Sequence, residues 1–542
     1  MIVPKVPHER HFVGRSDEDL YALPFRSNSS LEYSARMKSR LLTLLVPAGL
    51  IAITWLATMS TFAATPRLDR PNIIVILADD LGYGDLTVNN PDSKIPTPRL
   101  DQLAREGMNF TDAHSPSGVC TPTRYGLLTG RYCWRTRLKR GVLKGSSAPL
   151  IEPGRLTLPG MLKSIGYETG AFGKWHLGRR WALRDPQAKV TAENIDWTQP
   201  ALYCPLDAGF TYTFELSRPA WAFMENRLVL VPPTEPFDRT HIPSHIVGGN
   251  NNKGYQQPGF TFEAMLPKWI EKATAFIDRC AKAKQPFFTY FAPICPHRPI
   301  NPNREFHGKS QCGVFGDFVV ELDTAVGNLL DQLKASGVAD DTLVIFSADN
   351  GAENNAYQHI EEYGHWSSGG RRGCKRDLYE GGHHVPFMAR WPNQIPAGQT
   401  SEEIICLTDL MATIAHLVGE PLPLDAGEDS YNIWPAMQGK AGPHPIREAT
   451  VHHSGRGQFA IRQGDWVFLE APSGSNNREP ASVRESLGVK PHRLEVELFN
   501  LKDDPNQTTN LADRFPDKVK ELKQLLVDYR SRPRSRPTQD SN

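Results

Sequence analysis

The sequence predicts an α/β protein in which a large, mostly parallel sheet is flanked by helices and followed by a smaller C-terminal α+β subdomain. Four short apolar runs after residue 70 are apolar on both alternating faces, as strands covered by helices on each side must be. Helical stretches lie between them, the alternation that builds a parallel sheet with right-handed crossovers. Beyond about residue 445 the pattern changes to short strands around a Gly- and Ser-rich loop, then one amphipathic helix.

In chain order, the first segment is a leader. Residues 1–36 are polar and fit no signal peptide, whereas Leu41 to Ala64 is uncharged, follows Lys38 and Arg40 and ends in Thr61-Phe-Ala-Ala64. That layout over 37–64 predicts an export signal with Met37 as a workable start. The run is also long enough to span a bilayer, so a retained anchor at 41–64 is the alternative, weakened by Pro47 and Gly49.

The main domain is expected over 70–444. Its strands are Asn72 to Ala78, Glu168 to Gly173, Pro286 to Ala292 and Thr342 to Ser347. Each runs into polar residues: Asp79-Asp80, Lys174-Trp-His176, Pro296-His297 and Asp349-Asn-Gly351, respectively. Helices are expected from Arg99 to Glu106, closing at Gly107, and from Asp317 to Ser336, with Gly337 as its C′ residue. Open α/β sheets bind ligands beyond the carboxyl ends of their strands, so these distant polar groups should share one rim. The C-terminal subdomain is expected over 445–529, with strands at Phe459 to Phe468 and Leu494 to Phe499 and a helix from Phe515 to Tyr529; a disordered basic tail follows over 530–542.

Bulk properties exclude some functions. Lys plus Arg number 61 against 60 Asp plus Glu, a net charge of +1, which gives nucleic acid no general attraction. The eight cysteines, at 120, 133, 204, 280, 295, 312, 374 and 406, show no C-x-x-C pair, so a thiolate zinc site is excluded and any disulfide pairing is left open. Asp79, Asp80, Asp349 and Asn350 offer only oxygen, which suits a hard cation, calcium or magnesium. Taken singly, Asp79-Asp80 and Asp349-Asn-Gly also read as turns.

The segment Cys120-Thr-Pro-Thr-Arg-Tyr-Gly-Leu-Leu-Thr-Gly-Arg131 has the form C-x-P-x-R…T-G. With Gly173-Lys-Trp-His-Leu-Gly178, Pro296-His297-Arg-Pro, Asp349-Asn-Gly and Lys375 followed by Tyr379-Glu-Gly-Gly382, it resembles the type I, formylglycine-dependent sulfatases of the arylsulfatase type. The likeness runs from about Pro71 to Ala512 and implies a mixed, mostly parallel sheet of the alkaline-phosphatase-like superfamily. It further implies that Cys120 is converted to formylglycine by a formylglycine-generating enzyme or equivalent. The hydrated aldehyde then offers one oxygen to attack sulfur and another to expel sulfate.

By the same resemblance Asp79, Asp80, Asp349 and Asn350, with residue 120, hold one calcium ion; Arg124 steadies the diol and metal cluster; and Lys174 and Lys375 grip the sulfate. His297 is the general acid to the leaving alcohol and His176 a base in sulfate release, while Asp349 also accepts the proton of the attacking hydroxyl. The substrate implied is a sulfate ester, in an exported enzyme preferably a sulfated sugar. Phosphate or phosphonate ester hydrolysis and a non-catalytic glycan-binding relic are the competing functions. Family members place Arg before Val-Pro where this chain has His383-His384-Val-Pro386. His365, Arg371 and Arg372 are read as substrate contacts outside the catalytic set; Trp221, His452 and His453 are equally pocket wall or scaffold; and Cys133 is structural. Specificity is assigned to loops at 180–255 and 355–375.

Overall fold

The computed structural model describes residues 70–248 and 252–537. The expected leader at 1–36 and the signal or anchor at 37–64 therefore lie outside the described residues. Among the described residues no helix is long and apolar enough to cross a membrane.

The strands of the main sheet are, in chain order, β1 (Asn72–Ala78), β2 (Met108–Phe110), β3 (Glu168–Gly173), β4 (Tyr212–Ser217), β5 (Ala222–Glu225), β6 (Leu228–Val229), β7 (Phe287–Ala292), β8 (Thr342–Ala348), β9 (Phe387–Arg390) and β10 (Gln399–Ser401). They form one ten-stranded sheet in the order β10-β2-β9-β8-β1-β7-β3-β4-β5-β6. The block β8-β1-β7-β3-β4 is parallel throughout. Antiparallel pairs β8-β9, β9-β2, β4-β5 and β5-β6 flank it. The four segments read as strands from sequence are thus neighbours at the centre of a mixed, mostly parallel sheet.

β1 shows why its run is apolar on both faces. Ile73, Val75 and Leu77 join one core with Tyr125, Leu127, Leu158 and Leu410, while Ile74, Ile76 and Ala78 join another with Trp269, Phe318, Leu322 and Leu329. Each fully buried Ile, Val or Leu contributes about 1.5–3 kcal/mol relative to an exposed one, so neither face tolerates a polar residue. Helices Met265–Lys282 and Gly313–Ala335 cover the second face, the latter beginning four residues before the expected Asp317.

The C-terminal region forms a separate antiparallel sheet, β11 (Thr450–His453), β12 (Phe459–Gln463), β13 (Trp466–Leu469) and β14 (Glu497–Asn500), paired in that order. The Phe459 to Phe468 run expected as a single strand is a hairpin turning at Gly464-Asp465, with Gly464 at φ 53°. Helix Pro516–Ser531 packs on this sheet through Leu522, Leu526 and Tyr529. Side chains from this region reach back to the loop that precedes β9. Glu479 accepts from Arg372 (Nη2 at 2.9 Å), Glu497 from Tyr379 Oη (2.9 Å), and Gln507 Oε1 from the Glu380 amide (2.7 Å).

Of the tail expected over 530–542, residues 530–537 are described. They meet acceptors on the main body: Glu470 pairs with Arg530 at 2.8 Å, and Asp429 Oδ1 accepts from the Ser535 amide at 3.2 Å. Tyr431 Oη donates to the Ser535 carbonyl at 2.7 Å.

One backbone approach carries the site. A Cβ placed on Gly351 would lie 1.9 Å from the Gly381 carbonyl oxygen. The loop after β8 can therefore reach the Glu380–His383 turn only with glycine there. Gly351→Ala is expected to lower unfolding free energy by about 1–3 kcal/mol, read as a lower denaturant midpoint at unchanged slope; an unchanged midpoint would mean the two loops part freely.

Candidate active site

The carboxyl ends of β1, β8, β7 and β3 converge as the sheet topology requires. Hydrogen bonding continues beyond the strands, from the Asp79 amide to the Cys295 carbonyl (3.1 Å) and from the Asp349 amide to the Ala78 carbonyl (3.0 Å). Asp80 and His176 then adopt left-handed φ of 64° and 56°. A side chain in that region costs roughly 1–3 kcal/mol, and such residues gather at functional sites. Asp80 donates its amide to Asp349 Oδ1 at 3.2 Å.

Cys120 opens the helix Cys120–Thr129, which ends at Gly130 with φ 62°. Arg124, four residues on, falls on the same helix face one turn later. Its guanidinium forks onto Asp349 Oδ2 at 2.9 and 2.7 Å and donates to the Lys174 carbonyl at 3.1 Å and Tyr290 Oη at 3.3 Å. Cys120 Sγ lies 3.7 Å from Asp79 Oδ1. One ligating atom each from Asp79, Asp80, Cys120 and Asp349 fall within 4.8 Å of one another, all four residues buried.

Two ammonium groups close the cluster. Lys174 Nζ is 2.6 Å from Asp79 Oδ2 and Lys375 Nζ is 2.6 Å from Asp80 Oδ1. Burial opposes both charges, but Asp79 beside Lys174 and Asp80 beside Lys375 outweigh it and raise both lysines. Burial would raise Asp80 too, yet Lys375, His297 and Lys174 hold its carboxyl far below the usual carboxylate range. Asp349 goes the other way: burial and then Asp79 push it up to about 6 in spite of Arg124. Burial, reinforced by Asp349, pushes the Cys120 thiol up to about 12, so as a thiol it stays protonated at neutral pH and is a poor nucleophile.

His297 Nε2 lies 3.7 Å from Asp80 Oδ2, and its Nδ1 bonds the Arg298 carbonyl. A carbonyl only accepts, so Nδ1 carries the proton and Nε2 faces Asp80. Burial, helped by the two lysines, brings His297 down to about 3 and leaves it neutral. His176 Nε2 donates to the Leu143 carbonyl at 2.8 Å, and its Nδ1 is buried without a partner. Burial holds His176 well below its ordinary value, so Nδ1 is a free lone pair.

The donor set fits a hard cation. Asn350 Nδ2 donates to Asp80 Oδ1 (2.7 Å) and to the Gly351 carbonyl (2.9 Å), while its Oδ1 is fully buried with no partner. A buried amide oxygen left bare beside three carboxylates is what an oxygen-seeking ion would satisfy.

Other residues are sorted by their contacts. His365 is buried against Asp85 (2.8 Å), and Arg372 is buried on Glu479, so both hold the scaffold instead of touching substrate. Arg371 lies over the Tyr83 ring at 4.3 Å. His452 is fully buried and stacked on His383 at 3.7 Å; His453 bonds the Lys139 carbonyl; and Trp221 is 3% exposed, so these three are scaffold. His384 bonds Glu380 Oε2 at 3.0 Å and the Thr111 carbonyl at 2.8 Å, which makes the His383-His384 departure a matter of packing. Cys133 is buried, and all eight cysteines are free.

Sequence reasoning missed Glu353. Its carboxylate is 2.9 Å from Arg298 and 3.7 Å from Lys375 Nζ and also pairs with Arg376. Burial opposes its charge, but Lys375 outweighs that and Glu353 settles at about 2. The signal was its place three residues after Asn350, at one more position beyond the β8 end. Tyr290, in β7, was hidden inside an apolar run.

Residues 71–420 match the family model described as Sulfatase. The chain belongs to the sulfatase family. Relatives of this sulfatase include an N-acetylgalactosamine-6-O-sulfatase of Bacteroides thetaiotaomicron, 32% identical over 498 residues that cover 85% of this chain and 94% of the relative. Arylsulfatase A of Homo sapiens is 33% identical over 473 residues, 84% of this chain and 87% of that one. A solved Bacteroides thetaiotaomicron structure, described as a 6S-sulf in the metabolism of multiple glycosaminoglycans, superposes with a TM-score of 0.72 at 29% identity, covering 85% of this chain and 100% of that one. This sulfatase is accordingly a sulfuric ester hydrolase.

Proposed function

We propose that this sulfatase removes sulfate from a sulfated carbohydrate, using formylglycine made from Cys120 and a calcium ion held by Asp79, Asp80, Asp349 and Asn350. The observation that carries the reading is the placing of the residue 120 side chain among three carboxylates and two ammonium groups in a buried centre. The carbohydrate substrate is drawn from relatives named for N-acetylgalactosamine-6-sulfate. Export rests on the apolar stretch from Leu41 to Ala64, and maturation on a formylglycine-generating enzyme or equivalent.

When bound, the cation supplies Lewis-acid polarisation of a sulfate oxygen. As a hydrated aldehyde, residue 120 supplies one hydroxyl to attack sulfur and a second whose deprotonation lets sulfate leave. Lys174 and Lys375 hold the sulfate oxygens and meet the negative charge that grows on them. Asp349, clamped by Arg124, accepts the proton of the attacking hydroxyl. His297 delivers a proton from Nε2 to the departing alkoxide, a role that requires it to be protonated as the anionic substrate enters. His176 takes the proton of the second hydroxyl at Nδ1.

His297→Gln tests the acid. For a sugar sulfate, whose alkoxide leaves poorly, kcat is expected to fall by about 10²–10⁴-fold, whereas turnover of 4-nitrophenyl sulfate should change far less. Equal losses on both esters would take the proton-donor role from His297. Matched sulfate and phosphate aryl esters test the reaction itself, with sulfate the faster by a wide margin; preference for phosphate would overturn the reading.

A further inference from the structure

From Ala113 to Ile151 the chain has no Asp or Glu but carries Arg124, Arg131, Arg135, Arg137, Lys139, Arg140 and Lys144. Three of these are neutralised within the fold: Arg124 by Asp349, Arg131 by Glu152 and Glu428, and Arg135 by Asp429. The other four are exposed and form no ion pair among the described residues. Arg137 donates only to the carbonyls of Ala148 and Pro149, and Lys139 only to that of Trp134. Exposed Arg456 bonds the Asn476 carbonyl and likewise meets no carboxylate. A chain of net charge +1 thus gathers these cations on two adjoining loops.

The loops adjoin each other and the catalytic centre. The Gly141 amide donates to the Gly455 carbonyl at 3.0 Å, and a Cβ on Gly457 would lie 3.1 Å from Arg140 Cβ. Leu143 binds inward twice, its carbonyl accepting from His176 Nε2 at 2.8 Å and its amide donating to Thr121 Oγ1 at 3.2 Å, one residue from Cys120. Gly455 abuts Val119 and Arg376. On the outer side Lys139 shares a depression of about 960 Å³ with Trp134, Phe459, Arg530 and Arg534. Asp425 and Glu428 also line it, Glu428 being held by Arg131 and Arg155.

Cations crowded without counter-charges repel one another, and only anions from outside can relieve them. The scissile sulfate is met by Lys174 and Lys375, so the outer cations are left for charges elsewhere on the same molecule. We propose that the rim of residues 137–144 and Arg456 binds further sulfate or carboxylate groups of a sulfated polysaccharide while one of its sulfate esters occupies the centre. The enzyme is thereby selective for multiply charged chains over isolated sulfated sugars. The inference rests on the proposed sulfatase reading and adds the substrate's form.

The test compares Arg140→Gln/Lys144→Gln/Arg456→Gln with the parent on a chondroitin 6-sulfate hexasaccharide and on 4-nitrophenyl sulfate, from low to high salt. The triple variant is expected to lose about tenfold in kcat/KM on the hexasaccharide, through KM, with a flatter salt dependence. On 4-nitrophenyl sulfate it should stay within about twofold. Restoring charge as Arg140→Lys/Arg456→Lys should keep the hexasaccharide activity. Equal loss on both substrates, or none on either, overturns the proposal, as does competition by duplex DNA as strong as that by the hexasaccharide. A parent enzyme inactive on both esters would instead defeat the functional reading beneath it.

Discussion

Cys120→Ala is expected to abolish turnover of sulfate esters, with a loss of at least about 10⁴-fold in kcat, because no other side chain in the centre can attack sulfur and then release it. Asp79, Asp80 and Asp349 are held among cations, the two lysines are charged, and the histidines are placed to move protons. The fold should survive, since the change removes one sulfur atom from a buried position. Cys120→Ser sharpens the result: it keeps a single oxygen, enough to accept a sulfuryl group but not to expel it, so at most one product per enzyme should form. Mass spectrometry of the native peptide should find the aldehyde or its hydrate. A plain thiol there, in active protein, would remove the basis of the chemistry.

Stripping divalent metal should be almost as severe. Asp79, Asp80 and Asp349 would then face one another with only the two lysines and Arg124 to offset them, and Asn350 Oδ1 would lack a partner. Activity is expected to fall by several orders of magnitude on chelation and to return with added calcium. Stability gives an independent reading. Calcium at about 100 times its Kd should add about 2.7 kcal/mol to unfolding free energy, seen as a rise in Tm. In Asn350→Leu/Asp349→Asn that rise should vanish. Activity and Tm both indifferent to chelator would dismiss the cation site.

The sheet centre was legible because its signal is local: a residue buried on either face of β1 must be apolar whatever its neighbours do. The convergence of Asp79, Lys174, His297 and Asp349 followed from the strand–helix alternation, since parallel strands of one sheet end on the same rim. Residues whose work depends on a partner far along the chain were not legible. Nothing near Arg372 announces Glu479, and nothing near His365 announces Asp85, so both were read as facing substrate when they are internal ties. Glu353 failed for the opposite reason, lying beside a motif that already had a sufficient reading as a turn. Composition reports what a segment can do alone, so it gave no sign of the acceptors at Glu470 and Asp429 that meet residues 530–535.

The ties from Glu479, Glu497 and Gln507 to Arg372, Tyr379 and Glu380 mean that the segment bearing Lys375 is fastened on both sides of that lysine by residues more than a hundred positions further along. On the proposed mechanism, the setting of one sulfate-binding lysine therefore draws on residues beyond the family match as well as within it. A polypeptide that has emerged only through residue 420, where the family match stops, holds every group of the proposed mechanism but lacks the three outer ties on the segment that carries Lys375.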